Sequence, residues 1–219
     1  MNKVKLEDKN ICKKCKGDCC KKSGCDYSTD DFQDLSTKAL EEILKEGKTS
    51  IVAAVRVGET KAGKKFIIPY LYLRARNKNR EVVDLISLKS QCSVLTETGC
   101  PYTLENRPSG GVNLIPSKIK GHCRPLNDPL EIVAGWEKYQ ILLAKMVKKL
   151  TGKTVDNKLR EDTENLIYDI AMEHFDYVHD REKHEIMPLI RELADIYPLE
   201  CKRGIIRAKK EQAVLKMNK

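Results

Sequence analysis

Five cysteines fall within the fourteen residues from Cys12 to Cys25, and this clustering constrains the chain more than any other feature. The full spacing is Cys12-x2-Cys15-x3-Cys19-Cys20-x4-Cys25, then Cys92-x7-Cys100, Cys123 and Cys201. A chain of 219 residues can bury roughly 70% of its unfolded surface without help, so cysteines are not needed as staples. The opening MNKVKLEDKN has no apolar stretch of the secretory kind. No apolar run approaches the ~18 residues of a membrane span. Both observations point to the cytoplasm and away from a membrane, and an odd number of thiols in a reducing compartment reads as metal ligation rather than a disulfide framework.

Two cysteines separated by two residues can curl onto one ion, which makes Cys12 and Cys15 the first ligand pair. The adjacent Cys19 and Cys20 diverge, so they reach two centres, or one ligates while the other packs. A four-thiolate site built from Cys12, Cys15, Cys19 or Cys20 and a later cysteine suits either Zn²⁺ or an iron-sulfur cluster. The doublet, the surplus of thiols over one four-ligand site and the absence of paired zinc-ribbon knuckles favour iron-sulfur. Such ligands would tie the N-terminal loop to the middle of the chain, so that metal also holds the fold. A lone cysteine can instead be a small buried hydrophobe, and that alternative is open for Cys201 and Cys25.

The expected fold class is α+β, mainly helical. A cysteine-rich metal-binding module with a small antiparallel sheet spans residues 1–127, and a C-terminal helical half, 128–219, packs on it as one compact unit. Ser28 to Gly47 reads as one helix, with Ser28 and Asp31 as a capping box and Gly47 as its stop. Three strands are predicted, Ile51–Val57, Lys65–Arg74 and Glu81–Ile86, forming a meander in which Pro69 marks an edge or bulge. Residues 91–125 read as a second irregular ligand segment. Asp128-Pro129 fits a helix start, and helices are predicted over Pro129–Leu150, Asn157–Arg181, Ile186–Tyr197 and Leu199–Lys216.

The net charge of +9 is uneven. Residues 61–80 hold seven bases and no acid, and residues 201–219 hold seven bases against Glu211 alone. These patches suit nucleic acid, an acidic partner or an anionic cofactor, and part of the excess could balance a thiolate-rich centre. The alternative function is therefore a structural-zinc module that binds nucleic acid or an acidic partner through 61–80 and 201–219. An aromatic content of 5% argues against single-strand stacking.

Other motifs are weaker. Gly58-x4-Gly63-Lys64-Lys65 lacks the Ser or Thr of a phosphate loop and runs into the strand-like FIIPYLYL. His174, His179 and His184 step by five residues and cannot share a helix face; they read as surface residues, whereas His122 is kept as a ligand candidate because it adjoins Cys123. No Gly-rich fingerprint for S-adenosylmethionine follows a strand, and Gly110-Gly111 reads as shaping the chain near the metal centre.

The segment CKKCKGDCC, with the later CSVLTETGCPYTLENRP, resembles the YkgJ-type cysteine-cluster family, described as chelating zinc or iron. The resemblance covers about residues 10 to 125 and is most specific at Cys92, Leu95, Gly99, Cys100, Arg107 and Pro108. It implies the metal ligands Cys12, Cys15, Cys19, Cys20, Cys92 and Cys100. The first box has one extra residue before the doublet. The cysteine that the pattern places after Arg107-Pro108 is Gly111 here, which makes Cys123 the implied substitute. The resemblance extends to the longer flagellin lysine-N-methylases, and so implies a methyltransferase-like activity with S-adenosylmethionine beside the metal cluster.

Overall fold

Val, Ile and Tyr concentrate in two runs, and these form β1 (Thr49–Glu59) and β2 (Lys65–Ala75) of one long antiparallel hairpin. A computed structural model describes residues 11, 14–22, 24–86, 91–103, 105–119, 123–174 and 180–218; of Cys19 and residues 180–185 it describes the backbone alone. The hairpin turn closes on Thr60, whose N–H donates to the Lys64 carbonyl and whose hydroxyl accepts from the Lys64 N–H. Gly63 supplies the positive φ of 76° that the turn requires. The register runs unbroken from Thr49–Ala75 to Glu59–Lys65, so Pro69 makes no bulge. Like Leu71 two residues on, it directs its backbone away from β1, and the N–H it lacks is not needed by the ladder.

Both edges of the hairpin base are covered. On β2, the Gln140 amide accepts from the Leu71 N–H (2.8 Å) and donates to the Leu71 carbonyl (2.7 Å). Further along, Tyr27 N–H donates to Leu73 and Ala75 N–H donates to the Cys25 carbonyl, each at 2.9 Å. On β1, Ile51 accepts from Asp84 N–H and donates to the Val82 carbonyl. Residues 81–86, expected as a third antiparallel strand, therefore contribute one parallel bridge, Ile51 with Val83. The segment then turns toward the helical half, where Leu85 N–H donates to Asp162 at 2.7 Å.

The helices are α1 (Asp18–Lys22), α2 (Thr37–Lys45), α3 (Ser109–Val112), α4 (Pro129–Ala134), α5 (Gln140–Thr151), α6 (Val155–Met172), α7 (Asp180–Ile196) and α8 (Pro198–Met217). A two-residue ladder, β3 (Leu114–Ile115) with β4 (Arg124–Pro125), separates α3 from α4. The chain is thus α+β and mainly helical, with a small antiparallel sheet. Among the described residues no helix is long and apolar enough to cross a membrane.

Several boundaries differ from expectation for identifiable reasons. The Ser28–Asp31 capping box forms, yet it caps only a single 3-10 turn, Thr29–Asp31. Phe32 is extended, and Asp34 takes the Ser36 N–H and hydroxyl, so side chains compete with the helix until Ser36 caps α2. The helix expected over 129–150 breaks into α4, a 3-10 segment Gly135–Tyr139, and α5. Gly135 packs so closely on Thr29 that a Cβ would lie 2.5 Å from its hydroxyl oxygen. The 3-10 segment buries Trp136 completely. This single tryptophan donates its indole N–H to the Tyr27 carbonyl at 2.8 Å and meets Phe32 and Tyr139 edge-on. α6 ends at Met172, with Glu173 left-handed at φ 57°, short of the expected Arg181; residues 175–179 lie outside the described set. α7 starts at Asp180, six residues before the expected Ile186.

One apolar cluster joins the two halves, including Leu40 of α2, Ile51 and Leu73 of the hairpin, Trp136, Leu143 of α5 and Leu166 of α6. Beside it lies a buried ion pair. Lys158, 1% exposed, reaches Asp162 at 2.6 Å and Glu81 at 2.7 Å, tying α6 to residues 81–86. Replacing Lys158 by Met strands the buried Asp162 charge, and urea unfolding is expected to show a loss of about 3–5 kcal/mol. Burial, reinforced by the charge of Asp84, pushes the Asp162 carboxyl up to about 6 despite Lys158. The folded state then binds a proton that the unfolded state has released, so this group's contribution to stability falls as pH rises from about 4 to 6. Thermal unfolding followed across that range should show a decline that Asp162→Asn removes.

Candidate metal centre

The cysteine segments carry too little apolar sequence to fold alone, and the far end of β2 holds them. Cys25 is bonded to Ala75 through its carbonyl, and the Gly24 N–H donates to the Asn77 side chain at 2.7 Å. Cys92 pairs with Asn77 across an antiparallel bridge. Its N–H in turn donates to the Cys20 carbonyl at 2.7 Å. Cys25 and Cys92, from two segments, are thereby hung on one short stretch of chain, residues 75–77, and Cys20 is bonded to Cys92 in turn.

The fourth arrives through a close approach of loops. Between Cys15 and α1, Lys16 and Gly17 both adopt positive φ, 51° and 77°, and make a tight turn. A Cβ on Gly17 would lie 2.8 Å from the Leu95 side chain and 3.9 Å from the Cys100 nitrogen. The first box therefore lies directly on the second. The Cys20 and Cys100 thiols hydrogen-bond each other. That bond, helped by the Tyr102 N–H and the Arg107 guanidinium, outweighs burial and draws Cys100 down to about 6. Burial pushes Cys92 up to about 11, with the nearby Cys25 and Cys100 thiolates adding to the rise.

Asp31 locks the other wall. One carboxylate oxygen accepts from the Ser28 and Ser109 N–H groups, both at 2.9 Å, and the other accepts from the Ser109 hydroxyl at 2.8 Å. A single side chain thus caps its own turn and α3. The Gly110 N–H donates to the Asp26 carbonyl at 2.9 Å, which sets α3 against the Cys25 segment. Gly111 faces the Cys25 sulfur, where an added Cβ would stand 3.0 Å away.

Of the sequence-based set, Cys20 and Cys100 are in contact and Cys92 lies near Cys100; Cys25, which that set omitted, lies near Cys92 as well. No local signal marks it: Cys25-Asp26-Tyr27 lies beside β2 through a single bridge, Asp26 with Arg74. Burial raises the Tyr27 and Tyr102 phenols, and the charge of nearby Cys92 adds to the rise. Cys15 is half-buried ahead of the Lys16-Gly17 turn, and Cys123 is half-buried beside β4. Cys12 and His122 lie outside the described residues, as does the Cys19 side chain. Cys201 is buried in α8, where Ala194 and Pro198 line the same groove, as a packing thiol would be. Among the described residues, no three His, Cys, Asp or Glu side chains stand at the separation needed to hold one metal ion. In kind, the donor set suits a soft metal: several thiols, one already inclined to ionise, facing a guanidinium.

The basic patches are partly neutralised from within. Lys65 pairs with Glu192 and Asp195, Arg74 with Asp26, and Arg80 with Asp169. On α8, Arg203 and Arg207 reach Glu164. Lys61 and Lys64 at the hairpin turn, and Lys202, Lys209, Lys210 and Lys216 along α8, are exposed.

Compared with protein-family models, curated proteins and solved structures, the chain matches none.

The Cys100 environment makes a direct prediction. In reduced, chelator-treated protein, iodoacetamide should modify Cys100 at pH 7 ahead of Cys92, with an apparent pKa near 6. Cys20→Ala should move that value upward by removing its main stabilising hydrogen bond, as read by mass spectrometry of the alkylated peptides across pH.

Proposed function

We propose that this protein is a cytoplasmic metal-binding protein whose N-terminal and middle cysteines hold an iron-sulfur cluster, with zinc as the other metal the donors suit. The observation that carries the reading is the thiol-to-thiol contact of Cys20 and Cys100, eighty residues apart in sequence, with Cys92 beside them. Thiols brought together across so much chain, in a reducing compartment, have metal binding as their ordinary use. The Arg107 guanidinium supports it further, because a thiolate centre is anionic and gains from a nearby cation. The likeness to the YkgJ-type family is consistent with this reading, and a methyltransferase-like activity with S-adenosylmethionine rests on that likeness alone. When bound, the metal would supply a redox-active or Lewis-acidic centre, and the chain's contribution would be thiolate charge, burial and the Arg107 counter-charge.

Binding of nucleic acid or an acidic partner ranks second, because internal acids already engage Lys65, Arg74, Arg80, Arg203 and Arg207. The deciding measurement is anaerobic purification with metal, sulfide and absorption analysis of one sample. Brown protein with matching iron and sulfide is expected, and Cys20→Ser and Cys100→Ser should each lose most of it. Colourless protein with stoichiometric zinc would replace the cluster with a structural site, and metal-free protein would overturn the proposal.

A further inference from the structure

The bases of α8 fall into two rows with different surroundings. Arg203 and Arg207 face α6 and reach Glu164. Lys202, Lys209 and Lys216 stand seven residues apart, and so in line along the helix. All three are exposed, and among the described residues they have no ion-pair partner. Leu199, Ile206 and Ala213 are also seven apart, and the six positions together alternate steps of three and four, the spacing of a coiled-coil seam. Leu199 is 66% exposed and Ile206 41%. Lys202, Ile206 and Lys209 of this seam also line a groove of about 440 Å³ against Ala194 of α7, with Cys201 and Ile205 beside them; among the described residues no acid lines it. From Lys209 to Asn218 every residue is exposed, including Val214, Leu215 and Met217. We infer that this face of α8 is a docking surface for an acidic amphipathic helix of another protein, which narrows the acidic-partner reading to one face and stands whether or not the cysteines bind metal.

Charge and shape together select this occupant. A second copy of α8 would set lysine against lysine in a parallel pairing, and lysine against leucine or isoleucine in an antiparallel one, burying unpaired charge either way. A nucleic-acid backbone answers the lysines but offers Leu199, Ile205 and Ile206 nothing apolar to meet. A bilayer is flat where the groove is concave, and α8 carries no aromatic side chain to sit at the headgroup level. An amphipathic helix lays its apolar face into a groove of this kind. Carboxylates placed once per heptad recur every ~10.5 Å along such a helix, the interval of the lysine row. Its apolar side chains then cover Leu199, Ile206 and the groove, leaving the lysine stems packed and their ammonium groups paired.

The test uses the full-length chain and two fluorescein-labelled synthetic helices of three heptads each. One carries Leu at every a and Glu at every d position, and the other has the two exchanged, so that parallel and antiparallel pairing are both offered. In fluorescence anisotropy one of them should bind. Its affinity should fall at least about tenfold in the double variant Lys202→Glu/Lys209→Glu, where attraction becomes repulsion, and about tenfold in Ile206→Ser, which removes an apolar contact. These side chains are exposed, so the fold stands without them. Lys61→Glu/Lys64→Glu, at the hairpin turn, should bind as the wild type does. Binding of neither probe would overturn the docking surface and the acidic-partner reading together. Binding weakened by Lys61→Glu/Lys64→Glu and untouched by Lys202→Glu/Lys209→Glu would keep an acidic partner but overturn its place on α8. Tighter binding of a DNA duplex or of phosphatidylserine vesicles than of either probe, indifferent to Ile206→Ser, would overturn it in favour of a polyanion. Self-association of the chain that Ile206→Ser abolishes would overturn it in favour of a second copy.

Discussion

The hydrogen-bonding groups at the far end of β2 are the constraint on which the cysteine region depends. Residues 15–25 and 91–100 have neither the length nor the apolar content to fold by themselves. An edge strand, however, presents unpaired donors and acceptors that must find partners when buried. Ala75 and Asn77 present such groups, and the segments bearing Cys25 and Cys92 satisfy them. The position of the thiols is thus a by-product of satisfying backbone polarity. The same requirement explains the middle of β2, where no loop is at hand and the Gln140 amide occupies both groups of Leu71.

A second consequence is that the helical half does more than cover the sheet. Trp136 reaches across to the Tyr27 carbonyl, and Gln140 sits one helical turn further on. Lys158 and Asp162 do the equivalent on the other edge, holding residues 81–86 against β1. Each edge of the hairpin is therefore pinned by a polar side chain from the C-terminal half. The apolar cluster continues between these pins without a boundary near residue 128.

Much of this was legible in the sequence where a local rule has no competitor. The two strands, the Asp128-Pro129 start and the Gly152 stop follow from alternation, capping and φ > 0 preference, each acting within a few residues. The failures share a cause. Ser28 to Gly47 has helical spacing, yet Phe32 is drawn extended between Tyr27 and Trp136 by packing that local pattern does not encode. Glu81–Ile86 has strand composition, yet its acids and amides are claimed by α6. Among the thiols, Cys92 and Cys100 were singled out by the family resemblance, whereas spacing alone singled out Cys12 and Cys15. The surroundings of Cys25 were not legible, because they depend on a glycine more than eighty residues later and on an Asp31 network linking distant serines.

The buried indole has a spectroscopic consequence. Trp136 is the chain's single tryptophan, wholly screened from water and bonded to the residue two positions after Cys25. Its fluorescence comes from one dry environment at the junction of the two halves, with no second emitter to confuse it. The protein therefore carries a built-in optical gauge of its folding.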